Sequence, residues 1–176
     1  MPPADVAAAK INLVDLLLQA GRAAEALPIA TEADAVLVQA YGPTSKQVSV
    51  SRLALAETLH DLGRVAEAVS PYRYAWTVRR ATLGEASAET IGVRIKYAHA
   101  LVVGDPAAAL ALLADLDALA DDLRGVALLT RAQARVALGT DLDSARDDAL
   151  RARALIPASE ATLRRELEAL TADGPW

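Results

Sequence analysis

Apolar positions along the chain fall into stretches of helical spacing, and those stretches return at a fixed interval. Residues 11–17 read INLVDLL, residues 53–59 read LALAETL and residues 95–101 read IKYAHAL, so one pattern starts at 11, 53 and 95, a step of 42 residues. A polar turn repeats with it. Gly21-Arg22 running to Glu25-Ala26 matches Gly63-Arg64 running to Glu67-Ala68, and a looser version begins at Gly104 and reaches Ala109. A second turn recurs around Gly42 and Gly84. A fixed period of this length marks stacked supersecondary units, each unable to bury its apolar face alone. Each unit therefore predicts helix, glycine turn, helix, glycine turn.

Local signals agree with that order. Glycine just past a helical stretch predicts a left-handed C-terminal cap, free of the Cβ clash other residues would meet. Thr44, Ser87 and Asp105 are the short polar residues expected to cap the helices that follow. A fourth, less regular unit predicts a helix over Leu123–Leu138, a turn from Gly139 to Ala145, and a helix that stops at Ile156 before Pro157. Leu163, Leu167 and Leu170 then share one face of a last helix, expected to cover the final unit's apolar side. The expectation is one domain over 1–176, with repeats at 4–42, 43–84, 85–122 and 123–157, a capping helix at 158–172, and a tail at 173–176 in which Trp176 either frays or folds back.

Composition narrows the class. Hydrophobic residues make up 53% of the 176, aromatics only 3%, and phenylalanine and cysteine are absent. Alanine, the commonest residue, has the highest helix propensity and lets helices approach closely. The fold class is all-α. A formal net charge of −5 opposes nucleic-acid binding, which needs a basic stripe to displace counterions. No long apolar run suggests a membrane span and the N-terminus lacks a signal-peptide pattern, so a cytoplasmic setting is expected.

Candidate chemistry is sparse. His60 and His99 are the only histidines, with Glu57 and Asp61 the only donors at close spacing, too few for a metal centre. Asp141, Asp143, Asp147 and Asp148 lack the glycine and terminal glutamate of a calcium loop. No nucleophile elbow, phosphate loop or dinucleotide fingerprint occurs. No enzyme, metal or cofactor is expected. Three of the six aromatics gather in one helix, where Tyr72 and Trp76 share a face suited to packing between repeats, while Arg73, Tyr74 and Arg80 point elsewhere and offer a second contact surface.

The apolar helix, the Gly-Arg-x-x-Glu-Ala turn and the long second helix together resemble the tetratricopeptide repeat. The resemblance is specifically to the 42-residue variety found in kinesin light chains and many bacterial multidomain signalling proteins, and it covers residues 4–157. In family terms Ala26, Ala68, Ala109 and Ala145 correspond to the small residue where paired helices cross, and Ala33, Ala75 and Ala152 to a second packing alanine. The resemblance implies a right-handed superhelix whose first helices line a concave groove for a partner peptide. The groove positions would be Asn12, Asp15 and Gln19, then Glu57, His60 and Asp61, then Lys96 and His99, with Gln133 from the fourth unit. Such a stripe favours a basic or amide-rich protein or peptide; alternatively the first helices merely turn these polar residues to water. The family's carboxylate clamp is not matched, since Asn12 and Lys96 stand alone among acids. The expected function is a protein-binding adaptor or scaffold. The alternatives are a self-associating homo-oligomeric module, using Ala107–Leu119 or the last helix, and a ligand-gated regulatory domain of a larger bacterial signalling protein.

Overall fold

The computed structural model describes residues 2–116 and 119–172; the expectation for Trp176 and the 173–176 tail falls outside the described residues. The described chain is helices joined by turns, in two compact units, residues 1–100 and 101–176.

The first unit contains α1 (Pro3–Gln19), α2 (Ala23–Tyr41), α3 (Lys46–Asp61), α4 (Val65–Leu83) and α5 (Ala88–Leu101), whose last residue lies just across the boundary. Its turns explain the repeating motif. Gly21 and Gly63 take φ of 68° and 73°, and Gly42 and Gly84 take 77° and 83°, a region closed to most side chains. The next residue, Arg22, donates from Nε and Nη2 to both carboxylate oxygens of Glu25 at 2.7 Å, and Arg64 does the same to Glu67. Each glutamate sits in the first turn of its helix, where the helix dipole favours an anion. Ala26, Ala33, Ala68 and Ala75 are fully buried, as expected of residues where helices cross. Around them, Ile11, Val14, Leu17, Leu37 and Val48 form one core cluster, while Leu59, Tyr72 and Ala100 belong to another.

Two expectations change here. Ser45, not Thr44, caps α3: its Oγ accepts from the Val48 amide at 3.2 Å, because Ser45 is the extended residue next to the helix. On the aromatic helix Arg73 and Arg80 are exposed, as expected of a second contact surface, but Tyr74 is not. Arg80 lies over the Trp76 ring at 4.8 Å, and Trp76 itself packs on Tyr97 at 5.8 Å. Tyr74 is half-buried against the first core cluster, with Arg52 at 5.5 Å from its ring. Covering these rings with arginine stems removes apolar area from water, which explains their placement.

The second unit contains α6 (Pro106–Leu112), α7 (Asp121–Leu138), α8 (Leu142–Leu155) and α9 (Ala161–Ala172). Gly104 does not adopt the left-handed conformation expected of it. The turn there is residues 102–105, against 20–22 and 62–64 in the first unit; Asp105 N–H reaches Leu101 O directly at 2.7 Å, and Asp105 Oδ1 caps α6 by accepting from the Ala108 amide at 3.0 Å. Before α8 the turn is residues 139–141, and two of the three are left-handed: Gly139 at φ 65° and Asp141 at φ 51°. Ala109, Ala145 and Ala152 are fully buried. Ile156 is extended ahead of Pro157, as the residue before proline should be. Helix α9 packs on α8 and α7 with Leu167 buried.

Candidate functional site

In the first unit, α1, α3 and α5 are the first helices of successive pairs, and their polar positions gather into a face. Asn12, Asp15 and Gln19 are exposed on α1. Asp15, Leu18 and Gln19 line a cleft with Glu57 of α3. Glu57 is ion-paired with Lys96 of α5. The rings of His60 and His99 meet edge-on, with centroids 5.2 Å apart and planes at 77°, and His60 Nδ1 lies 3.9 Å from an Asp61 carboxylate oxygen. Eight of the nine residues expected to line a groove thus lie on the first helices of one unit. Gln133, the ninth, lies on α7 in the second unit, where its Nε2 donates to Glu166 of α9 at 3.1 Å.

Electrostatics distinguish the three carboxylates. Glu57 has its lysine. Lys96 occupies the repeat position of Asn12, and the α3 residue at that position, which would serve Asp15, is Ala54, buried and uncharged. Among the described residues Asp15 has no ion pair within 4.0 Å. Its carboxyl is held above the usual range by partial burial first, then by the nearby Glu57 charge, with Lys96 only partly offsetting both. Asp61 is exposed at the end of α3. Beneath this face the Tyr72 hydroxyl is pushed far up by burial and, secondarily, by Glu57 and Asp61. Sequence reasoning treated Lys96 as isolated; only its packing shows that it pairs with Glu57 and acts on Asp15 from farther off.

Among the described residues no group of three or more histidine, cysteine, aspartate or glutamate side chains converges to hold a metal. Nor is any described helix long and apolar enough to cross a membrane.

Residues 5–81, spanning α1 to α4, match the family model for the tetratricopeptide repeat. The matched part, α1 to α4, is similar to that family. The fold of the chain is similar to that of BtubC (BKLC) from P. vanneervenii, with a TM-score of 0.71 and 17% sequence identity over 100% of this chain and 68% of that one. No curated protein matches the sequence. Tetratricopeptide repeats generally mediate protein–protein interaction or scaffolding, and the family and fold are typically non-enzymatic.

Proposed function

We propose that this protein is an adaptor that holds a segment of a partner protein across the face formed by α1, α3 and α5. The observation that carries the reading is the imbalance at Asp15: a half-shielded carboxylate beside a second acid, in a cleft, with the only nearby lysine committed to Glu57. A cation placed there by a partner would gain a charge-assisted hydrogen bond and relieve the repulsion between Asp15 and Glu57. Asn12 and Gln19 flank the position with amides that both donate and accept, which suits an extended backbone. The expected partner segment carries arginine or lysine next to polar backbone, and its capture weakens with salt.

The test is affinity capture with the native protein and with the Asp15→Lys, Asp61→Lys double variant, after matching their helicity. Both side chains are exposed and outside the core, so folding should survive. A partner retained only by the native protein, mapping to a basic segment and released by salt, is the expected result. Equal retention by both proteins would remove the contact from this face.

A further inference from the structure

The acids of the candidate site outnumber the cations that the repeat brings to them. Lys96 of α5 reaches Glu57 of α3, 39 residues back on the neighbouring first helix. The same step forward from Asp15 of α1 ends on Ala54 of α3, buried and uncharged. Asp15 and Glu57 line one cleft with Leu18 and Gln19, and Lys96 is the lysine whose charge both acids feel. One turn beyond Glu57, Asp61 adds a further exposed acid beside the His60 and His99 rings.

Lys96 holds Glu57 loosely. Its side chain is 51% exposed, so water screens the pair and a flexible stem has to be held still to make it. An ammonium is a point charge, whereas a guanidinium presents five donors in a planar fork that can bond two carboxylates at once. An arginine entering the cleft can lay its aliphatic stem on half-buried Leu18 and set the fork between Asp15 and Glu57. Lys96 stands in the way of the second of those bonds. A partner lysine reaches Asp15 alone and leaves Lys96 where it is.

We infer that Lys96 is a built-in competitor for the cleft, seated on Glu57 in the free protein and displaced by an arginine of the partner that bridges Asp15 and Glu57. The inference rests on the adaptor reading and names the side chain that the cleft takes. Lys96 then does two things. It lowers the affinity of the face for basic segments in general, and it passes over lysine in favour of the side chain able to gain both acids.

The probes are a blocked pentapeptide with one arginine among glycines and its lysine counterpart, titrated into the native protein, Lys96→Met and Lys96→Arg while the amide resonances of α1 and α3 are followed. Lys96 is exposed, so folding should survive both changes, and helicity is matched first. Lys96→Met removes the competitor and should bind the arginine peptide about fivefold more tightly than the native protein, the scale of freeing an exposed ion pair. Lys96→Arg installs a stronger competitor and should bind about threefold more weakly. The opposite signs separate competition from a structural role, under which both variants would lose affinity. The native protein should favour the arginine peptide over the lysine one. Without any peptide, the Asp15 carboxyl of Lys96→Met should titrate at a higher pH than in the native protein, because the lysine charge lowers it. Variants that bind like the native protein, a Lys96→Met that binds more weakly, equal binding of the two peptides or an unmoved Asp15 titration would each overturn the inference and leave the adaptor reading standing. No shift on these helices in any of the three proteins would overturn both.

Discussion

In the unit of residues 1–100 the turn before each second helix is the same object twice, a left-handed glycine, then an arginine clasping a glutamate three residues on. In the unit of residues 101–176 the corresponding turns are unlike each other, residues 102–105 without a left-handed glycine and residues 139–141 with two left-handed residues. The helices answer differently too. In the first unit the buried acid Asp34 accepts from Ser51 and from a single arginine, Arg52. In the second, Asp148 of α8 is buried against two arginines of α7, accepting from Arg131 Nε and Nη2 at 2.7 Å and also from Arg135. Gly125 of α7 meets Leu155 and Ile156 so closely that a Cβ there would sit 3.1 Å from the Leu155 Cβ. The first unit is held by rules that can be repeated, and the second by particular long-range fits. A helix pair can drift from the repeat consensus when tertiary contacts replace the local ones.

The largest expected effect falls on the particular fit. Asp148→Ala removes the anion and leaves Arg131 and Arg135 facing each other, partly buried, which should cost about 3–5 kcal/mol. Hydrogen exchange should show the loss across α7 and α8 while α1 to α4 keep their protection. Equal loss in both units would mean that they unfold together and would break the distinction.

A smaller effect separates the turns. Gly63→Ala forces a Cβ into a left-handed position, costing about 1–2 kcal/mol. Gly104→Ala should cost much less, because Gly104 is not left-handed and a Cβ there meets nothing within 4 Å. Denaturant midpoints of the two variants give the comparison, and equal shifts would contradict the assigned turn conformations.

The smallest effect lies at the candidate site. The Asp15 carboxyl is raised in the folded chain, so folding favours its protonated form. The resulting penalty is absent below the unfolded-state carboxylate pKa and fully present above the raised folded value. Asp15→Asn should therefore leave neutral-pH stability unchanged or slightly improved, with that gain vanishing on acidification, while partner capture weakens. A variant clearly less stable at neutral pH would show that Asp15 is a structural anchor.

Much of this fold was legible because its determinants are local and recur. The 42-residue step placed Gly21 and Gly63, and the crossing alanines followed from the same alignment. The Thr44 cap failed because two neighbouring residues can both cap and only the backbone decides which one is extended. Gly104 failed because four residues rather than three join α5 to α6, which changes the turn's geometry around the glycine. At the site, membership of one face was legible for Asp15, Glu57 and His99, which share a repeat position. The partnership of Lys96 with Glu57 was not, because it joins residues 39 apart on neighbouring helices.

Sequence alone determined that this chain is a helical repeat, because helix period, turn glycines and small crossing residues are written in single residues at fixed intervals. Which charges already have partners was decided only by tertiary structure. That property depends on what lies opposite a residue, and the helix opposite Lys96 or Asp148 is set by how the pairs pack.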